Sequence, residues 1–222
     1  MRSLALIGPD GAGKSTIARE VVRALGSRAR YLYMGVNLES SGRMLPTTRL
    51  ALAFKRTRGR GPRMTADWGG RSASASHGPR RLIRSAYGGA RLVAWLAEEW
   101  YRALVAAIYI RRGYLVVFDR HFLFDYWSSH VLPRPGRPLA ARLHGLILRR
   151  LYPRPDFVVC LDAPAELLHA RKQDQSVEWL QERRREYLAL EGVARDFAVV
   201  DAARPVPAVV ADITGMVQAR LA

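Results

Sequence analysis

The chain is poor in cysteine, in long apolar runs and in acidic residues, and each shortage excludes something. Cys160 is the single cysteine among 222 residues, so no internal disulfide is available and the cytoplasm is the expected compartment. No apolar run approaches the ~20 residues that a membrane-spanning helix needs. The longest, Ala103 to Ile110, ends at Arg111 and Arg112, so no membrane span is expected. Near the N-terminus, Leu4 to Ile7 is too brief for the core of a signal peptide. Acidic residues number 19 against 36 Lys and Arg, a formal charge of +17. Such an excess points to anionic partners without choosing among nucleotides, phosphorylated substrates, nucleic acid and acidic membranes.

Apolar residues make up 49% of the chain, enough for one globular domain spanning residues 1–222. The hydrophobic pattern predicts alternating strands and helices. Strands are expected at Leu4–Ile7, Tyr31–Met34, Leu115–Phe118, Phe157–Leu161 and Ala198–Val200. Helices are expected at Ser15–Leu25, Arg81–Arg111, Leu139–Leu151, Pro164–Lys172, Val177–Glu191 and Val206–Leu221. Leu82, Ala86, Val93, Ala97, Trp100, Leu104 and Ile108 form the expected buried stripe of the long helix, which Gly88 and Gly89 could kink. Strict alternation of this kind predicts one parallel α/β sheet with helices on both faces and function at the carboxyl ends of its strands.

Within residues 55–80 the composition turns to Gly, Arg, Ser and Pro, and a mobile basic loop is expected there. Between Lys55 and Arg84 only Asp67 opposes nine basic residues. Trp68 is the one aromatic between Phe54 and Tyr87, a weak stacking platform, so nucleic acid is not the expected partner.

Chemistry is densest in Gly8-Pro9-Asp10-Gly11-Ala12-Gly13-Lys14-Ser15, which fits G-x-x-x-x-G-K-[ST] between an expected strand and helix. Glycines let successive backbone N–H groups turn inward on phosphate oxygens, and the following helix adds its positive end. Lys14 can reach β- and γ-phosphates from what reads as a solvent-facing loop, and the Ser15 hydroxyl, followed by Thr16, can hold Mg²⁺. Asp119 ends an apolar strand and is a candidate for Mg²⁺ binding or for accepting a proton from the acceptor. Arg120, next to it, can clamp an acceptor anion. Arg171, Lys172, Arg183, Arg184 and Arg185 surround the polar turn Gln173 to Ser176, and residues 171–185 are expected to form a lid over the phosphates. Arg171 is its candidate catalytic cation and Arg184 its candidate nucleotide contact. The five histidines form no metal-ligand spacing, and Cys160 reads as inert packing.

On these residues the chain resembles the thymidylate kinase-like branch of the P-loop kinases. Ile7 to Thr16 looks like that family's P-loop, including the acid before the second glycine, and Asp119-Arg120-His121 looks like its Asp-Arg-Tyr/His motif. Leu161-Asp162-Ala163-Pro164 with Glu166 resembles its Leu-Asp-x-x-x-Glu segment, and Val200-Asp201-Ala202 its last strand and adenine-side loop. The resemblance implies an ATP- and Mg²⁺-dependent kinase of nucleoside-monophosphate-kinase-like fold, with five parallel strands. It also implies that Asp10 contacts the acceptor sugar and Arg120 the acceptor phosphate. Three departures fall on the acceptor side. Gly35 to Glu39 replaces the family's Thr-Arg-Glu-Pro stretch, Glu98 stands near the place of the base-facing Arg, and Phe122 to Trp127 replaces a Gln-containing segment. Glu99 and Arg102 lie within one turn of that place, and Phe122, Leu123, Phe124, Tyr126 and Trp127 read as an apolar wall for the acceptor.

The expected function is therefore phosphoryl transfer from ATP to a nucleoside monophosphate or related phosphorylated small molecule, with dTMP a poor acceptor. A kinase of a small hydroxyl compound (nucleoside, sugar or natural-product alcohol) and a P-loop ATPase or nucleic-acid-binding module are the alternatives. A homodimer is left open.

Overall fold

In the computed structural model five parallel strands form one sheet in the order β2-β3-β1-β4-β5. The structure describes residues 1–36, 44–46, 48, 50, 79–133 and 135–221, without the side chains of 79–91. The basic stretch 55–78, expected to be a mobile loop, and the side chains of Arg80, Arg81 and Arg84 lie outside the described residues. The strands are β1 (Ser3–Ile7), β2 (Ala29–Tyr33), β3 (Leu115–Asp119), β4 (Phe157–Asp162) and β5 (Phe197–Asp201). Among the described residues the α-helices are α1 (Lys14–Leu25), α2 (Pro79–Arg111), α3 (Phe122–Asp125), α4 (Leu139–Arg150), α5 (Ala165–Arg171), α6 (Val177–Leu188) and α7 (Val206–Leu221). None of them is long and apolar enough to cross a membrane.

Unbroken apolar runs become central strands because both faces of the sheet are covered. Along β1, Leu4 and Leu6 point into a core with Ile17, Val21, Val209, Ile213 and Val217, while Ala5 and Ile7 point into one with Trp95, Phe122 and Tyr152. Strand β1 pairs with β3 on one side and β4 on the other, so the chain crosses over in opposite directions from it. That switch point opens a crevice at the carboxyl ends of the strands, where Gly8, Asp119 and Asp162 all emerge.

Helix α2 runs unbroken through Gly88 and Gly89; Leu82 and Ala86 lie outside the residues whose side chains are described, and the rest of the expected stripe is on the wrong face. Val93, Trp100, Leu104 and Ile108 are exposed, with Leu104 at 55%. The buried face carries Leu92, Trp95, Glu98, Glu99, Arg102, Ala103 and Ala106. Spacing reveals that apolar residues share a phase, whereas neighbouring elements decide which phase is covered. Here several of the inward polar groups find partners. Trp95 Nε1 donates to Glu99 (2.8 Å), His144 Nε2 lies 2.9 Å from the same carboxylate, and Arg102 donates to the Gly35 carbonyl (3.0 Å).

Cys160 is fully buried in β4, and burial pushes its thiol up to about 12, as inert packing requires.

Candidate functional site

The chain leaves β1 into the glycine turn and enters α1 at Lys14. Two glycines are forced by contact and by backbone conformation. A Cβ at Gly8 (φ 136°) would lie 2.3 Å from the Leu161 carbonyl oxygen, and one at Gly11 (φ 86°) 2.5 Å from that of Leu168. The turn is thereby wedged between β4 and α5. Gly13 precedes α1 in the left-handed region (φ 77°), and Ala12 is buried beneath the turn.

Lys14 is buried, at 5% exposure, rather than solvent-facing as the sequence suggested. Its Nζ donates to the Pro9 carbonyl at 2.6 Å. Burial, assisted by Arg120, pushes its pKa down to about 7, against the pull of Asp10, Asp125 and Asp119. A cation under such strain is stabilised by any anion entering the loop.

Asp119 is fully buried at the end of β3. Its Oδ2 accepts from Tyr31 Oη (2.7 Å), and its Oδ1 has no hydrogen-bond partner among the described residues. Arg120 follows with φ 68°, the one non-glycine in the left-handed region among the described residues. Its N–H donates to the Leu6 carbonyl (3.0 Å), and its guanidinium is ion-paired with Asp10 across the crevice. Burial alone would raise the Asp10 carboxyl, but Arg120 and Lys14 overcome it and hold the pKa at about 2. Backbone strain of this kind persists where surrounding contacts over-determine it, commonly at functional sites. Gly35 supplies one such contact, since a Cβ there would fall 2.5 Å from Arg120 Cδ. His121 is packed against Phe118, Phe124 and Tyr152, and burial lowers its pKa to about 3, so it is neutral.

Asp10, Gly11, Gly13, Lys14, Ser15, Thr16, Arg120, Arg171 and Lys172 line one cleft of about 270 Å³. The structure thus gathers most of the residues singled out by sequence. Arg171 also donates to the Ala202 carbonyl (2.8 Å), tying the end of α5 to the loop after β5. Arg184 does not line this cleft and instead grips Asp162 with two bonds of 2.8 Å. A larger cavity of about 560 Å³ beside α4, lined by His130, Arg137, Arg142 and Arg149, shares no residue with the P-loop cleft.

The expected acceptor wall is corrected. Phe122, Leu123, Phe124 and Tyr126 are all buried in the core beneath the sheet, and only Trp127 is partly open. The family's base-facing position is not reproduced either. Glu98 accepts from the Leu45 N–H (2.9 Å), Glu99 serves Trp95 and His144, and Arg102 is fully buried beside Phe122. Sequence reasoning missed Tyr31, Asp125 and Tyr187, whose significance lies in contacts far apart in the chain.

These features define a P-loop nucleotide-binding α/β fold. No family model matches the chain, and no curated protein matches it. Among solved structures it is similar to a deoxyadenosine kinase from M. mycoides with products dCMP and a flexible dCDP bound, at a TM-score of 0.53 and 16% identity, with 98% of each chain covered. A structure of that enzyme with bound dCTP gives a TM-score of 0.49 at 16% identity, covering 98% of this chain and 99% of the other.

Proposed function

We propose that the chain is an ATP-dependent kinase whose acceptor is a nucleoside monophosphate or a related phosphorylated small molecule. The observation that carries this reading is the meeting of the P-loop, Lys14 and the Asp10–Arg120 pair in one cleft, with Arg171 and Lys172 at its rim. Four cations against one carboxylate exceed what positioning a neutral acceptor requires. In this reading the P-loop amides and Lys14 hold the donor's β- and γ-phosphates. Arg120 turns from Asp10 to the acceptor phosphate and aligns it with the γ-phosphorus. Asp10, released, takes a sugar hydroxyl. Ser15 and Asp119 would hold Mg²⁺, which supplies charge neutralisation on the phosphates, and the unpartnered buried oxygen of Asp119 fits that duty. A nucleoside acceptor is the second reading, supported by the deoxyadenosine kinase structure of TM-score 0.53 to which the fold is similar.

Acceptor-dependent ADP release with ATP and Mg²⁺, measured across nucleosides, their monophosphates and simple sugars, separates the two. Monophosphates are expected to outpace their nucleosides, and dTMP to be poor because Glu98 stands near the place of the family's base-facing Arg and no such donor faces the crevice among the described residues. A kcat/KM for dTMP of ~10⁴ M⁻¹s⁻¹ or above overturns the dTMP expectation. Absence of any acceptor dependence overturns the kinase.

We also propose that the lid moves chiefly at the turn 172–176. Among the described residues the side chains of Lys172 and Asp174 are ion-paired only with each other at the surface (3.0 Å), whereas Arg183 and Arg184 anchor α6 to the body. Hydrogen exchange across residues 171–185 should slow at this turn when ATP and acceptor bind together. Unchanged exchange there would remove the lid from the mechanism.

A further inference from the structure

Helix α3 buries its aromatics, yet it carries one carboxylate, Asp125, that nothing in the reading above employs. Tyr187 Oη, from α6, donates to its Oδ1 at 3.0 Å. Arg183 donates to the same Tyr187 oxygen (3.1 Å), so the phenolic hydrogen is left for Asp125. Arg183 is itself fixed on Ser128 (3.2 Å). The second oxygen, Oδ2, is buried with no hydrogen-bond partner among the described residues. Arg120, Lys14 and Arg183 all act electrostatically on Asp125, but none of them forms an ion pair with it. A buried carboxylate oxygen without a donor costs free energy, and proteins retain such atoms where a ligand supplies the missing hydrogen.

Resting on the kinase reading, we propose that Asp125 is an acceptor contact, its Oδ2 taking a hydrogen bond from a sugar hydroxyl, with Tyr187 and Arg183 as positioning residues. A carboxylate repels phosphate, so its partner is an O–H or N–H donor. Its foremost charged neighbour is Arg120, the proposed acceptor-phosphate ligand. The donors of a nucleotide nearest its phosphate are the sugar hydroxyls, whereas the base amino groups lie further away.

The test pairs a deletion on the protein with a deletion on the ligand. Binding of the four deoxynucleosides and their 5′-monophosphates is measured calorimetrically to the wild type, Asp125→Ala and Tyr187→Phe. The most tightly bound is then compared with its 2′,3′-dideoxy analogue. In the wild type the analogue should bind about ten- to a hundredfold more weakly, the range for a hydrogen bond to a charged group. In Asp125→Ala that penalty should shrink to the share that Asp10 supplies, while ATP affinity stays within about threefold and reports an intact fold. Tyr187→Phe should retain part of the penalty. An equal penalty in wild type and Asp125→Ala, or no binding by any of the eight probes, overturns the proposal. The readout is binding, so a protein that binds but transfers no phosphoryl group fails the kinase reading and leaves this contact standing.

Discussion

Lys14→Met is expected to lower phosphoryl transfer by a factor of hundreds or more while raising thermal stability at neutral pH. Removing one preorganised charge aimed at the transferring phosphoryl costs about this much in comparable sites. Stability moves the other way because Lys14 is buried with its pKa pushed down to about 7. A lysine whose folded pKa lies below its unfolded value of 10.5 disfavours folding in its charged form. That cost is fully present below pH 7, shrinks between pH 7 and 10.5, and is gone above. Methionine removes the charge and roughly keeps the volume, at the smaller expense of leaving the Pro9 carbonyl with only its long bond from the Ala12 N–H (3.4 Å). The melting temperature should therefore rise by a few degrees at pH 7, and the gain should fade toward pH 10. Thermal melts across this range, beside ADP-release assays, check both halves. A variant that keeps its rate removes the P-loop from the mechanism, and one that melts lower at pH 7 removes the charge-strain account of Lys14.

Asp119→Asn should lower kcat/KM by about a hundredfold or more with little change in melting temperature. The amide oxygen can still accept from Tyr31, so the buried contact at 2.7 Å survives. What disappears is the negative charge, and with it the attraction that the proposed site would hold for Mg²⁺. Activity should therefore require more Mg²⁺ for half-saturation, and Mg²⁺-dependent tightening of ATP binding should weaken. Tyr31→Phe is the control, removing the hydroxyl and keeping the carboxylate, and it should cost far less. Equal losses in the two variants would make Asp119 a structural partner of Tyr31 rather than a metal site.

Much of the donor side was legible because its chemistry is local. Gly8 to Thr16 is contiguous, and an unbroken apolar run ending in Asp119 can lie only at the end of a central strand. The surroundings of Asp125 and Arg102 were less legible because their contacts join distant segments. Asp125 meets Tyr187 across 62 positions, and Arg102 meets Gly35 across 67. The segment Phe122 to Trp127 shows the limit well. Its apolar and aromatic residues suggested a binding wall, yet packing under the sheet turned four of the five inward and left Asp125 with an unpartnered oxygen among the described residues.

Residue order alone determined the parallel α/β sheet, the phosphate loop and the Asp119–Arg120 edge, since backbone conformation and hydrophobic period are properties of neighbouring residues. Only the tertiary structure decided which face of α2 is covered, that Lys14 is buried, that Arg184 is bound to Asp162, and that Asp125 keeps an unpartnered oxygen. Those outcomes depend on which elements pack together and on the desolvation of each charge, and both are set by groups brought close by the whole fold.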